Sequence, residues 1–419
     1  MSRACLLLVL LAGPLAAQTE VRLALSGQAA APSPGLALPP FEAENPTAGA
    51  DALLAKSLRD IVRQDLMLSR RFEIKDEEVA ASPAFGATWR LTAKMAKIMD
   101  KISVRLRLAN AEGGHETVFE RFYRQDAVWM RALAHRIADD VVKAATGRDG
   151  IARTRIAFIN NRTGRKEIWV MDYDGENVKR LTSDNSISLL PRFSPDGRRL
   201  AYTSYKAGNP DLMLLDLESG KSKVFSGEQG LNIAGGFSPD GSKLLMTLSR
   251  GKNPNLFIKD LNGGPAERLT SHFGADSTPT FSPDARQIAF VSDRSGNPQI
   301  HVLNIPNKQI RRLTNLNWCD APAWSPTGEW IAFAGRAHNK DKMDIFIVDI
   351  TGGQIRQLTH GQGSNEDPAW SPDGRFLAFS STRSGRSQIW VMDGDGSAPR
   401  LMADVPGASS TPHWSPIIH

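Results

Sequence analysis

An aromatic residue followed by Ser-Pro recurs six times in the last two-thirds of the chain, and this repeat constrains the fold more than any other feature. The fullest copies continue as Asp-Gly, which makes a tight turn because Pro presets φ and Gly accepts a positive φ. The serines of neighbouring copies lie 43 to 46 residues apart. They are Ser194, Ser238, Ser282, Ser325, Ser371 and Ser415. A period of this length is typical of propellers and other repeat arrays.

Each repeat unit contains four segments with strand character, which we label A to D in chain order. Segment A carries the aromatic residue and ends in the Ser-Pro-Asp-Gly turn. Segment B is an apolar triplet such as 200–202, segment C alternates as in 212–216, and segment D is short, as in 268–270. Four strands in about 44 residues predict one blade of a β-propeller.

The two ends of the repeat region predict how the ring closes. The first B segment, 156–158, has no A segment before it, and the last A segment, 412–416, has no B segment after it. Together they complete one blade, so no sheet edge remains open. We therefore predict a mainly β protein with a six-bladed propeller over residues 151–419. In this topology the preceding chain attaches on the face of the A–B turns, which leaves the D–A loops around the opposite channel mouth.

The region before the repeats predicts an export signal and a small α+β domain. Residues 1–17 combine Arg3, a short apolar run and a small-residue end at Ala17, the pattern of a secretory signal peptide. Its removal would leave Cys319 as the one cysteine, so no intrachain disulfide is expected, and we expect no transmembrane segment in the mature chain. Residues 18–150 predict a strand at 21–25, a flexible connector over 27–40, a helix from about Asp51, a hairpin that turns at 99–101, a strand at 117–123 and a helix that ends at Gly147.

The sequence offers little that indicates catalysis. It contains no Gly-x-Ser-x-Gly motif and no closely spaced histidine pair, and the 51 basic residues nearly balance the 45 acidic ones, which argues against nucleic-acid binding. Asp276, Asp320 and Asp367 precede the A segments and could offer oxygen ligands to Ca²⁺, although solvated carboxylates that cap turns are the favoured explanation. We expect no cofactor. The alternatives left open are an exported hydrolase or lactonase with a channel metal, and a glycan-binding ring that uses Phe273 and Trp318.

An exported propeller without catalytic groups predicts a binding platform, and two surfaces are candidates. The first is the set of D–A loops, expected at 183–190, 226–235, 271–278, 315–321, 360–367 and 403–411, because loops on a rigid ring are where propellers place function. The second is the alternating mature N-terminus, which could either dock on its own domain or pair with another protein's sheet. It comprises Glu20, Val21, Arg22, Leu23, Ala24, Leu25 and Ser26.

The signal peptide, the opening strand, the small α+β domain and the six repeats together resemble the TolB family of periplasmic propellers in the Tol–Pal envelope system of Gram-negative bacteria. The resemblance covers essentially the whole chain in order. Three copies depart from the repeat, with Ala285 in place of the turn glycine, Thr327 in place of Asp, and Ile417 after the last Pro.

The resemblance implies a monomeric periplasmic protein that is not an enzyme and that supports outer-membrane integrity and its constriction during cell division. It implies that the N-terminal strand binds TolA, and that the channel mouth binds the lipoprotein Pal and is exploited by imported bacteriocins. Carried onto this chain, the Pal-facing residues are Leu189, Leu231, Asn232, Ile233, Asp276, Ser277, Thr278, Asp320, Glu366, Asp367 and Ser410.

Overall fold

The computed structural model describes residues 33–44, 49–75, 87–111, 116–250 and 253–417. The predicted signal peptide and the predicted N-terminal strand at 20–26 lie outside these ranges. No helix in the described ranges is both long and apolar enough to cross a membrane.

The N-terminal domain packs two helices on one face of a mixed sheet, as the apolar periodicity predicts. The helices are α1 (Gly49–Leu68) and α2 (Met130–Thr146), the latter preceded by a 3₁₀ turn (Ala127–Trp129). The strands are β1 (Gly35–Ala37), β2 (Glu42–Ala43), β3 (Glu73–Lys75), β4 (Ala87–Ile98), β5 (Lys101–Asn110) and β6 (Thr117–Asp126). The sheet order is β3-β1-β4-β5-β6, with β2 also on β4, and α2 ends at Gly147 in the left-handed conformation expected of a glycine cap.

Two features of this domain differ from the sequence prediction. The predicted connector at 27–40 contains β1, which pairs in parallel with both β3 and β4 and buries Leu36 and Leu38 completely. Proline-rich flanks made this stretch resemble a linker, but its apolar residues supply the centre of the domain core. The hairpin turn is also shorter than predicted, because Ile98 pairs directly with Lys101 across a two-residue turn.

The repeats form six four-stranded antiparallel blades, each in the order A-B-C-D. Blade 1 comprises β10 (Ser188–Phe193), β11 (Arg199–Ser204), β12 (Asp211–Asp216) and β13 (Ser222–Ser226). Blade 2 comprises β14 (Asn232–Phe237), β15 (Lys243–Leu248), β16 (Asn255–Asp260) and β17 (Glu267–Arg268). Blade 3 comprises β18 (Asp276–Phe281), β19 (Gln287–Ser292), β20 (Gln299–Asn304) and β21 (Ile310–Arg312).

The second half of the ring repeats this arrangement and confirms the predicted closure. Blade 4 comprises β22 (Trp318–Trp324), β23 (Trp330–Arg336), β24 (Asp344–Asp349) and β25 (Ile355–Gln357). Blade 5 comprises β26 (Asn365–Trp370), β27 (Phe376–Ser381), β28 (Gln388–Asp393) and β29 (Arg400–Leu401). Blade 6 joins both ends of the repeat region, with β30 (Ser409–Trp414) beside β7 (Arg155–Asn160), β8 (Glu167–Asp172) and β9 (Lys179–Arg180). The A strands of neighbouring blades contact one another around the whole ring, including β30 with β10.

The N-terminal domain packs against the turns of blades 5 and 6, on the face opposite the start of the A strands. Arg375, which follows the A–B turn of blade 5, donates to the carbonyls of Ser69 (2.5 Å) and Arg70 (3.2 Å). Arg131 on α2 pairs with Asp174 in the C–D turn of blade 6. One apolar core runs from the two helices into blades 5 and 6, so the domain is joined to the ring through buried side chains.

Candidate functional site

The six A strands surround the axis of the ring and present the same pattern of exposure. Each A strand pairs with its B strand on one edge only, so its other edge faces the channel. The first position that all six strands share is buried in every blade, and the residue after it is partly or fully exposed at the channel mouth. The first-position residues are Ser188, Asn232, Asp276, Cys319, Asn365 and Ser409. This alternation is the two-residue period of a β-strand, and it decides which predicted residues can meet a partner.

The structure places the predicted mouth residues in strands more often than in loops. Ten of the eleven lie within the A strands, and only Leu231 lies in the loop before one. The A strands begin about three residues earlier than the sequence indicated, because the proline inside them reads as the start of a strand. A proline is tolerated there since its missing N–H faces the channel.

The first-position residues are structural in this conformation. Asn232 is fully buried, accepts from the Ser226 hydroxyl (2.7 Å) and donates to the Glu228 carbonyl (2.6 Å). Asp276 is fully buried and accepts two hydrogen bonds from one Nη atom of Arg294, at 3.0 and 2.9 Å. Neither side chain is free to contact a partner, although both hold the strands that frame the mouth. Cys319 occupies the same position and is also fully buried; its burial raises the pKa of the thiol to about 11.

The second-position residues form the mouth, and their chemistry changes around the ring. They are Leu189, Ile233, Ser277, Asp320, Glu366 and Ser410, in the order of blades 1 to 6. Blades 1 and 2 therefore present apolar side chains, while blades 4 and 5 on the opposite side present carboxylates. The mouth has one apolar side and one acidic side, separated by serines.

A bulge lies below the mouth in all six A strands, and five of them share the same backbone conformation there. The residue before the proline adopts a left-handed backbone, with φ between 47° and 55°. These residues are Leu190, Thr278, Ala321, Asp367 and Thr411. A bulge bends the strand and re-aims the side chains that follow it. Blade 2 lacks the proline and has Gly235 there, where a Cβ would lie 2.8 Å from Cγ of Pro279 in blade 3.

Three neighbouring carboxyl groups on blades 4 and 5 repel one another when they are ionised. They belong to Asp320, Glu366 and Asp367. Burial, followed by the charges of Glu366 and Asp320, raises the pKa of Asp367 to about 6, while Ser380 and Arg192 oppose the change. Burial and Glu366 also raise the pKa of Asp320. In the described ranges none of the three forms an ion pair with Lys, Arg or His. A cationic group from a partner would relieve this repulsion.

The calcium alternative does not gain support from the geometry. Asp276 is turned into its blade by Arg294, whereas Asp320 and Asp367 lie at and below the mouth. Within the described residues, the three carboxylates are not among the groups whose ligand atoms converge.

The one convergent group in the described ranges lies elsewhere, between α1, α2 and blade 6. It contains Asp65, His135 and Asp174. His135 Nδ1 lies 2.8 Å from Asp65 Oδ2, and its Nε2 lies 3.9 Å from Asp172. Arg131 already contacts Asp172 and Asp174, so cationic side chains occupy the place that a metal ion would take. Asp172 and Asp65 hold the pKa of His135 at about 9, despite burial that would lower it. The arrangement is a buried ion-pair cluster that joins the domain to the ring.

Nothing in the sequence pattern marked this cluster. Asp65 and His135 fall on two helices, while Asp172 ends β8 and Asp174 lies in the turn after it, so only the packing of the domain brings them together. The single available signal was a histidine among the apolar positions of α2. A lone histidine of that kind does not identify its partners.

Known proteins with similar sequences share the propeller architecture. A family model described as the TolB beta propeller domain matches residues 142–319 and 316–417, which is more than half of the chain. The Tol-Pal system protein TolB of Geobacter sulfurreducens is 38% identical over 164 residues, covering 35% of this chain and 37% of the relative. The Tol-Pal system protein TolB of Roseobacter denitrificans is 33% identical over 213 residues, covering 46% and 47%. The chain thus spans less than half the length of these curated relatives in each alignment.

A solved structure extends the similarity to nearly the whole chain. The crystal structure of TolB from Acinetobacter baumannii superposes with a TM-score of 0.80 at 28% identity, and it covers 92% of this chain and 97% of that one. The shared architecture therefore includes the N-terminal domain as well as the propeller.

Proposed function

Because the chain belongs to the TolB beta propeller family, we propose that it is a non-enzymatic periplasmic adaptor of a Tol–Pal system. In this proposal the mouth of the propeller binds Pal, and the segment at 20–26 binds TolA by adding a strand to its sheet. Bacteriocins that enter through the system would compete for the same mouth. The role would be to maintain outer-membrane integrity and its constriction during cell division.

The two-sided mouth is the observation that carries the Pal-binding proposal. Leu189 and Ile233 offer apolar surface on one side, and Asp320 and Glu366 offer negative charge on the other, all on strands of a closed ring. A rigid, preorganised surface loses little conformational entropy on binding. It favours a partner segment that places an apolar side chain over blades 1 and 2 and a cationic one over blades 4 and 5.

Calorimetric titration of the soluble domain of Pal into the purified protein tests this proposal. Ile233→Asp and Glu366→Lys should each weaken binding about 5- to 30-fold, the range that removal of a central contact typically costs. Val224→Asp is the matched control, because Val224 is exposed on the outer strand β13, away from the channel. Absence of saturable Pal binding by the folded protein would contradict the proposal, as would equal weakening by the control.

The TolA-binding proposal has a separate test. Deletion of residues 20–26 should abolish TolA binding and leave Pal binding intact, because the mouth opens on the face opposite the N-terminal domain. Binding of TolA should also be measured with and without Pal. We expect the two affinities to be coupled reciprocally, and an unchanged TolA affinity in the presence of Pal would remove the coupling from the proposal.

A periplasmic location rests on the predicted signal peptide. Cleavage after Ala17 predicts that the chain recovered from a periplasmic fraction begins at Gln18. Recovery with Met1 in the cytoplasmic fraction would contradict this part of the proposal.

A further inference from the structure

The channel below the mouth holds a cavity of about 140 Å³ that all six A strands line. At roughly 30 Å³ per liquid water it has room for a few waters or for a carboxylate of a few carbons. Four of the lining residues carry a hydrogen-bond donor in the side chain, and they lie in blades 1, 3 and 6. They are Arg192, Thr278, Thr411 and His413.

Arg192 is the cationic member of this group, and most of its donors are unused. Its Nη1 donates to the carbonyl of Pro191 (3.0 Å), and in the described ranges it forms no ion pair with a carboxylate within 4.0 Å. Burial lowers its pKa, and only the more distant charge of Asp367 opposes that effect. The guanidinium is partly buried, so it has lost part of its water without gaining an ion-pair partner within 4.0 Å among the described residues, and donors remain for a ligand.

The other three donor residues line the same cavity. His413 Nδ1 accepts the N–H of Phe193 (3.2 Å), so the neutral imidazole carries its proton on Nε2. Burial and the charge of Arg192 keep the pKa of His413 well below its usual range, which maintains this neutral form. The hydroxyls of Thr278 and Thr411 are buried and have no hydrogen-bond partner among the described residues. A buried polar atom without a partner is rare in proteins and calls for water or a ligand.

We propose that this cavity binds a carboxylate group, with Arg192 as the charged anchor and the Thr411, Thr278 and His413 donors around it. A guanidinium and a carboxylate form parallel, charge-assisted hydrogen bonds, and hydroxyl and imidazole donors complete the shell of the remaining oxygen lone pairs. Side chains with donors outnumber carboxylates in the lining of this cavity. A cation or an apolar ligand would therefore leave the guanidinium, hydroxyl and imidazole donors unsatisfied.

Asp367 makes the binding depend on pH. Its carboxylate accepts from the Ser380 hydroxyl and the Thr411 N–H, both at 3.2 Å, and it faces the same cavity. The charged or titratable groups around it are Arg192, His413, Asp320 and Glu366. An incoming carboxylate would repel an ionised Asp367, so binding should be accompanied by proton uptake. The affinity should therefore rise as the pH falls from 7.5 to 5.5, by about tenfold or more for a group with a pKa near 6.

The carboxylate could belong to a free small molecule or to an acidic side chain that a protein partner inserts through the mouth. The first case is independent of the proposed function, and only the second rests on it. Acetate is the probe that tests the shared chemistry without any partner.

The experiment titrates sodium acetate into the full protein at pH 6 and constant ionic strength, with sodium chloride as the reference anion, and follows calorimetry and thermal unfolding. We expect saturable binding at one site in the millimolar range, with a higher unfolding temperature in acetate than in chloride. Arg192→Gln should weaken binding about tenfold or more, and Thr411→Val, which removes only the hydroxyl, about threefold. Arg198→Gln, in the exposed A–B turn of the same blade, should leave binding unchanged.

Thermal unfolding without acetate separates this role from a structural one. Arg192→Gln should unfold at the same temperature as the wild type or higher, because it removes a partly buried charge that has no ion-pair partner among the described residues. Should Arg192→Gln fail to fold, Thr411→Val still tests the site. Acetate that binds no better than chloride, or binds equally to the Arg192 and Arg198 variants, would overturn the proposal.

A competition experiment between Pal and acetate identifies the source of the carboxylate. Pal that competes with acetate would indicate a partner's side chain in the cavity, and Pal that binds together with acetate would indicate a free carboxylate. If Pal does not bind at all, the proposed function fails while the acetate measurement still decides the cavity.

Discussion

Replacement of His135 by Gln should destabilise the protein most strongly at neutral and acidic pH and progressively less above it. His135 on α2 is buried between Asp65 of α1 and Asp172 of blade 6. Arg131, Arg155, Tyr173 and Asp174 are the other charged or titratable groups that face the cluster. A protonated imidazole balances the two carboxylates that flank it, and a neutral amide cannot.

The size and sign of the effect follow from the pKa of His135. Its folded value of about 9 lies above the usual 6.5, and this difference corresponds to roughly 3 kcal/mol of stabilisation by the protonated ring. Burial raises the pKa of Asp65, which offsets part of that gain, so we expect a net loss of about 2–3 kcal/mol in the variant. Because the folded pKa is raised, the stabilisation is fully present below pH 6.5 and is lost as the pH rises through about 9.

Urea unfolding followed by far-UV circular dichroism at pH 6, 7.5 and 9.5 measures this difference. The gap between wild type and His135→Gln should be largest at pH 6 and should nearly close at pH 9.5. His338→Gln is the control, since His338 is exposed in the B–C loop of blade 4. A gap that stays constant with pH, or a His135 resonance that titrates at or below pH 6.5, would refute the reasoning.

Three further substitutions test the A strands and the repeat turn by chemical unfolding. Asp276→Asn should cost about 3–5 kcal/mol, because it breaks an ion pair whose carboxylate is fully buried and leaves the partly buried Arg294 without its partner; a loss under 1 kcal/mol would contradict the ion-pair role. Gly235→Ala should cost about 1–3 kcal/mol, since its Cβ would overlap the neighbouring blade, whereas Gly236→Ala, whose nearest neighbour atom is 3.4 Å away, should cost far less; equal losses would refute the steric argument. Ala285→Gly should stabilise the protein by about 1 kcal/mol, because Ala285 holds a φ of 58° at the position where other copies have glycine, and a destabilised variant would show that this strain is absent.

The sequence was sufficient to predict the ring because every blade carries its own local signals. The Ser-Pro-Asp-Gly turns set the A–B connections, and in blades 1, 2, 3 and 5 the serine hydroxyl lies 2.5 to 2.6 Å from the Asp carboxylate of the turn. Strand alternation and repeat spacing then fix the number of blades, and the unmatched ends fix the closure. Each of these inferences uses contacts between residues that are close in sequence.

The candidate site was predicted less well because it depends on which way single side chains point. The proline of five A strands, and Gly236 in blade 2, suggested a strand start. This shifted the expected loops by about three residues and placed Asn232 and Asp276 at the surface. A bulge changes the side-chain direction within one residue, and left-handed Thr278 or Asp367 has no sequence signature of its own. The division of the mouth into apolar and acidic sides became visible only after the pleat of each strand was known.

Blade 6 connects the mouth of the channel to the N-terminal domain, and it is the blade through which we expect the two to be coupled. Its A strand, β30, lines the channel at Thr411 and His413 and ends at Trp414, which belongs to the apolar core shared with α1 and α2. Trp414 Nε1 donates to the Thr154 hydroxyl (2.8 Å) just before β7, so the same six-residue strand also fastens the two ends of the ring. A displacement of β30 by a ligand in the channel therefore has to be absorbed either by the ring closure or by the domain interface. Because the closure is held by antiparallel pairing of β30 with β7 on both sides of the bulge, the interface is the part that we expect to yield, and the His135 cluster is the part of that interface whose strength the pH controls.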